Sequence, residues 1–120
     1  MTGVVDLNGR ALLPVRLRHP IAGAETLLDV WIDTGFTGDL VVPAHQITLL
    51  NLPRGPMVRA TLADGSEVDL ETYTCHVDWF GTWKSIEVVA NQGQLPLLGV
   101  GLLRKRHLDI DYRANTLNLT

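Results

Sequence analysis

Apolar and polar residues alternate in short runs along most of the chain, with turn residues between the runs. In Ala11-Leu12-Leu13-Pro14-Val15-Arg16-Leu17-Arg18 the odd positions are apolar and fall on one side of an extended strand, leaving Leu12, Pro14, Arg16 and Arg18 on the other. Asn8-Gly9, just after Val4-Val5-Asp6-Leu7, is the strongest short hairpin signal, so the chain opens with a β-hairpin. Pro14 has no N–H for a ladder, which puts the second strand at an edge or a bulge. Leu28, Val30 and Ile32 alternate with Leu27, Asp29 and Trp31 and predict a strand that delivers Asp33 at its end. Leu40-Val41-Val42 predicts another strand, and Pro43 to Leu50 one or two helical turns with Pro43 at the first position. Pro53-Arg54-Gly55-Pro56 ends that helix.

Alternation resumes on both sides of Asp64-Gly65, from Met57 to Ala63 and from Ser66 to Val77, and predicts one long hairpin. In its second strand Val68, Leu70, Thr72, Thr74 and His76 would share one face, and Glu67, Asp69, Glu71, Tyr73, Cys75 and Val77 the other, with the acidic end in water. Trp79-Phe80-Gly81-Thr82-Trp83 reads as a turn leading into a strand from Ile86 to Ala90, and Asn91 to Gln94 as a polar loop. A short helix after Gly99 would bury Val100, Leu102 and Leu103, with Arg104, Lys105 and Arg106 at its negative end. Strands from His107 to Tyr112 and from Thr116 to Thr120 flank a turn at Arg113-Ala114-Asn115. Many short strands with one or two short helices make the class all-β, closed barrel-like or sandwich-like.

Length and charge narrow the function. At 120 residues, with no internal repeat, the expected organisation is one domain over 1–120. A hydrophobic content of 46% is that of an ordinary globular protein, and a net charge of -3 does not ask for nucleic acid. The apolar runs fall far short of the roughly 18 to 20 residues that span a bilayer. The N-terminus lacks a basic region and an apolar signal core, and Cys75 is the single cysteine, so the expected setting is cytoplasmic, without a membrane or an internal disulfide. His19, His45, His76 and His107 are widely separated and show no metal-ligand spacing, so neither a metal nor another cofactor is expected. Cys75 reads as a packed thiol, Arg104-Lys105-Arg106 as a solvated cap, and Asp109 and Asp111 as the polar face of a strand.

The candidate chemistry lies in Trp31-Ile32-Asp33-Thr34-Gly35-Phe36-Thr37-Gly38, where an apolar strand ends in a carboxylate, a hydroxyl and a glycine. Thr34 supplies a hydroxyl, Gly35 lets backbone N–H groups approach the carboxylate, and Gly38 lets the chain turn toward Leu40. Taken alone, so short a tripeptide as Asp-Thr-Gly reads better as a solvated turn, because turns favour these residues. A second apolar stretch closing on glycine, Leu95-Pro96-Leu97-Leu98-Gly99, changes the balance. Together the two motifs resemble the retropepsin-like aspartic proteases, particularly their bacterial single-domain branch. The resemblance covers most of the chain, from the strand into Asp33 to the closing strand around Leu108 to Tyr112.

Peptide hydrolysis by carboxylates needs two of them, one to take a proton from water and one to carry a proton toward the carbonyl. This chain has one Asp-Thr-Gly. The resemblance therefore implies a homodimer in which each chain contributes Asp33, the pair sharing a proton and titrating as a unit. It implies that Thr34 bonds across the twofold axis, that Gly35 keeps the backbone near substrate, and that Leu62, Ala63, Asp64, Gly65 and Ser66 form a flap. Leu97, Leu98 and Gly99 would pack beneath the catalytic loop, and the strands near Met1 to Leu7 and Thr116 to Thr120 would lie at the dimer interface. The implied partners are a second copy and a peptide or protein substrate. Two features depart from the retroviral pattern: Phe36 stands where those members carry a small residue, and Gly38 lacks the hydroxyl that some relatives use to bond the catalytic carboxylate. Two rival readings are a retropepsin-fold binding or assembly module with weak or no turnover, and a monomeric β-barrel whose Asp33 is a turn residue.

Overall fold

A computed structural model describes residues 1–21, 23–93 and 95–120; Gln94, in the polar loop expected from the sequence, lies outside the described residues. The opening hairpin is present as β1 (Thr2–Val5) and β2 (Ala11–Arg18), with Gly9 at φ 77° in the turn. β2 then pairs along most of its length with β3 (Glu25–Ile32), from Leu12 opposite Trp31 to Arg18 opposite Glu25. On its other side β2 pairs with β1 only at Ala11 and Leu12, and with β7 (Thr72–Trp79) only at Leu17 and Arg18. Pro14 falls in the interval between, where a missing N–H costs no ladder bond, so the strand is a local edge as its sequence required.

β4 (Leu40–Pro43) runs into α1 (Ala44–Leu50). Pro43 is one place earlier than expected: its ψ of 139° keeps it extended as the last strand residue and the helix N-cap. Asn51 ends the helix in the left-handed region, its N–H donating to the carbonyls of Ile47 and Thr48.

The long hairpin is corrected. β5 (Val58–Thr61) and β6 (Glu67–Leu70) form a two-stranded sheet of their own, and the chain changes sheets at Glu71 before entering β7. Thr72 anchors the switch: its hydroxyl donates to the Pro56 carbonyl at 2.5 Å, and its own carbonyl accepts the Gly55 N–H at 2.9 Å. The face shared by Val68 and Leu70 therefore does not continue, and beyond Thr72 it is Cys75, Val77 and Trp79 that are buried. Apolar and β-branched residues on both faces from Thr72 to Val77 hid this break. β7 returns as β8 (Thr82–Asn91) through Phe80 and Gly81, both at positive φ, which matches the twist of a two-residue hairpin.

β9 (Leu97–Leu98), the single-turn α2 (Val100–Leu103), β10 (Leu108–Asp111) and β11 (Thr116–Leu119) complete the chain. Among the described residues the main sheet has nine strands in the order β10-β11-β1-β2-β3-β9-β4-β8-β7, and the short β2–β7 contact curls it around the core. Leu13, Val15, Leu17, Val30, Leu40, Val42, Val77, Val88, Leu98, Leu102, Leu117 and Leu119 fill that core. β1 lies between β11 and β2, paired with the first from Thr2 to Val4 and with the second at Val4 and Val5, and Val4 is exposed.

Candidate active site

β9 lies between β3 and β4, parallel to the first and antiparallel to the second. The two stretches that stood out in the sequence are thereby brought together, Trp31 and Ile32 beside Leu97 and Leu98, and Leu98 beside Leu40. Four backbone hydrogen bonds lock the following turns: Asp33 N–H to Leu98 O at 2.8 Å, Gly99 N–H to Asp39 O at 2.9 Å, Val100 N–H to Phe36 O at 2.8 Å, and Gly101 N–H to Gly38 O at 3.0 Å. Leu98 is fully buried and Leu97 partly so, which places Leu97, Leu98 and Gly99 beneath the loop.

Asp33 is half-buried, and its Oδ1 accepts the Gly35 N–H at 3.0 Å. Its backbone carbonyl accepts the Phe36 N–H at 3.2 Å, closing the turn. Thr34 is exposed at the turn's apex. Phe36 and Gly38 are sterically linked. A Cβ on Gly38 would collide with the tip of the buried Phe36 ring, and a Cβ on Gly99 would collide with the same ring and with the Gly38 carbonyl. The large residue at 36 occupies the room that a side chain at 38 would need.

The β5–β6 hairpin projects over this loop. Gly65 sits at φ 86° in its turn, and Asp64 Oδ1 accepts both the Ser66 N–H at 2.9 Å and the Ser66 hydroxyl at 2.6 Å. Those bonds, the hydroxyl foremost, hold the exposed Asp64 carboxyl below its ordinary pKa. Leu62, Ala63, Asp64, Gly65 and Ser66 are all exposed, and a Cβ on Gly35 would come 3.1 Å from that of Ala63, so the tip overhangs the Asp-Thr-Gly turn. At the hairpin's base the Thr61 N–H donates to Thr37 Oγ1 at 3.2 Å, and Ala60, Val68 and Leu70 pack on Phe36 and Val41.

One face of the sheet carries a row of cross-strand neighbours, Val4, Leu12, Trp31, Leu97, Val41 and Val89. Trp31, Ile32, Asp33 and Leu97 line a depression of about 300 Å3 on this row. Further along it a cavity of about 170 Å3 opens between the loop, the hairpin and β8, lined in part by Phe36, Val58, Leu70, Thr72, Glu87 and Val89. Thr37 and Glu87 did not stand out in the sequence. Glu87 lies between the inward-facing Ile86 and Val88 and so reads as an outward strand residue, and only the register of β7 on β8, with Thr74 opposite it, gives it neighbours.

Cys75 is fully buried, and burial pushes its thiol up to about 11, far from the range of a reactive thiolate. Among the described residues no three His, Cys, Asp or Glu side chains come together as a metal ion would need. Asp109 and Asp111 are exposed, Asp111 capping the turn by accepting the Arg113 and Ala114 N–H groups.

A curled, all-β sheet whose third strand ends in Asp-Thr-Gly, threaded by a short Leu-Leu-Gly strand and overhung by a hairpin, defines the retropepsin-like fold. Two solved structures bear this out. A retropepsin-like aspartic protease from Rickettsia conorii matches over 99% of this chain and 88% of its own, with a TM-score of 0.62 at 17% identity. EIAV protease, complexed with the inhibitor HBY-793, matches over 82% of this chain and 89% of its own, with a TM-score of 0.55 at 19% identity. No protein-family profile matches the sequence, and no curated protein matches it. No helix among the described residues is long and apolar enough to cross a membrane.

Proposed function

We propose that this chain, acting as one unit over 1–120, is an aspartic endopeptidase that works as a homodimer. The observation that carries the reading is Asp33 at the end of a core strand, its turn held from below by Leu98 to Gly101 and overhung by the β5–β6 hairpin. Two Asp33 carboxylates at the twofold axis would share one proton, because like charges at close range resist joint ionisation. The ionised partner draws a proton from water while the protonated one donates toward the peptide carbonyl. Thr34, exposed at the apex, would bond the partner chain, and Gly35 donates its N–H to Asp33 and would leave no side chain in the path of substrate. Leu62 to Ser66 act as the flap, closing over bound peptide and excluding water. Exposed Trp31 and partly buried Leu97 beside Asp33 offer an apolar surface for substrate or for the second copy.

The test is cleavage of a diverse peptide pool from acidic to neutral pH by the wild-type chain and by Asp33→Asn. The reading expects cutting by wild type alone, with the variant at least ~10³-fold slower and still folded. Equal cutting by both would contradict it. Failure of both to cut, with both dimeric, would favour a binding or assembly module on the same fold.

A further inference from the structure

The cavity under the hairpin has apolar walls and an acidic floor, and the geometry points to a subsite that selects a lysine or arginine side chain of the substrate through Glu87. This inference rests on the endopeptidase reading and names a substrate preference for that same site. The cavity lies on the row of side chains that passes Asp33, since Trp31, Leu97, Val41 and Val89 are successive cross-strand neighbours. A peptide laid across the strands over Asp33 would therefore send one of its side chains into it.

Its walls are Phe36, Val58, Ala60, Leu70 and Val89, which suit the aliphatic stem of a long side chain. Glu87 faces it from β8, on the same side of the strand as Val89. Thr74 donates its hydroxyl to one carboxylate oxygen, Oε2, at 3.2 Å, and the Thr72 hydroxyl oxygen, its proton on Pro56 O, lies 3.3 Å from the same atom; this holds the group and leaves Oε1 for another donor. Gly55 passes so close that any Cβ there would strike Glu87 Oε2, so the backbone also walls the carboxylate in place. A second carboxylate, Asp39, lines the same cavity. Among the described lining residues Arg59 is the one cation, and its guanidinium is engaged with Asp69 at 3.1 Å and Glu67 at 3.5 Å on the exposed face of the hairpin. Among the described residues the cavity thus presents two acidic side chains and one cation already engaged with Asp69 and Glu67, in a partly enclosed place where an ammonium or guanidinium would be bound by charge-assisted hydrogen bonds.

The experiment uses peptides in which each position flanking the cleavage point is varied in turn among Lys, Arg, norleucine and Glu, together with uncleavable hydroxyethylene analogues of the same set for calorimetry. Norleucine keeps the stem and removes the charge. At one position wild type is expected to favour Lys or Arg over norleucine by about tenfold or more in kcat/KM and in Kd. Glu87→Gln, which retains an acceptor for the Thr74 hydroxyl, should bring that ratio near one, and Glu87→Lys should turn the preference toward Glu. The wild-type ratio needs no variant, so a misfolded substitution leaves the test intact. Cutting with no basic preference at any position, or a preference untouched by Glu87→Gln, would overturn the subsite and leave the endopeptidase reading standing. Glu87-dependent binding of the Lys analogue without any cutting would support the subsite and count against turnover. Neither binding nor cutting would overturn both.

Discussion

The Asp33 loop and the β5–β6 hairpin face each other across the candidate cleft and are held in different ways. Four backbone hydrogen bonds and the Phe36 ring tie the loop to β9 and α2, at the meeting of three core strands. The hairpin belongs to a separate two-stranded sheet, meets the loop through one hydrogen bond and a small apolar cluster, and carries an exposed tip. A carboxylate that must meet its twin at a fixed distance needs the first kind of support, and an element that admits and covers a peptide needs the second.

The largest effect that would break this contrast lies at Phe36. Truncation to Ala should cost about 3 to 5 kcal/mol, because the ring is buried between the loop and the hairpin base. Gly38→Ala should cost about 1 to 3 kcal/mol by overpacking, and much less once Phe36 is Ala. Denaturant unfolding of the two single variants and the double variant measures that coupling, and additive effects would contradict the interlock.

A smaller effect is expected at the hairpin's base. Thr37→Ala removes the acceptor of the Thr61 N–H and should loosen the hairpin by about 0.5 to 1.5 kcal/mol. Hydrogen exchange should then show faster exchange in Thr61 and its β5–β6 neighbours with the Asp33 loop unchanged. Equal acceleration in both regions would contradict their independence.

The smallest effect is at the tip. Asp64 has a carboxyl pKa lowered by Ser66, so its bonds contribute fully above the unfolded carboxylate range and are lost as pH falls through the lowered folded value, below about pH 4. Ser66→Ala should raise the Asp64 pKa toward its ordinary value in an NMR titration while leaving global stability nearly unchanged. A pKa that stays low would show that another group sets it.

The difference between the two regions was only half legible in the sequence. Strict alternation in β2 and β3, Asn8-Gly9, and Phe80-Gly81 are local signals, and local signals placed the strands and turns. Asp33-Thr34-Gly35 and Leu97-Leu98-Gly99 were visible as motifs because glycine after an apolar run is a local feature too. What the sequence hid depends on residues distant along the chain. The sheet switch at Glu71 follows from Thr72 bonding to Pro56, and the bare Gly38 is explained only by the Phe36 ring standing over it. Glu87 gains its threonine partners and its cavity from strand register, which alternation alone does not reveal.

The central claim is that two copies of Asp33 act together. The direct measurement mixes wild-type chain with Asp33→Asn chain in varied proportion, lets the subunits exchange at constant total concentration, and follows cleavage of one peptide. Paired carboxylates predict that activity falls as the square of the wild-type fraction, because only dimers with two intact chains cut. A linear fall, each wild-type chain cutting regardless of its neighbour, would contradict the account.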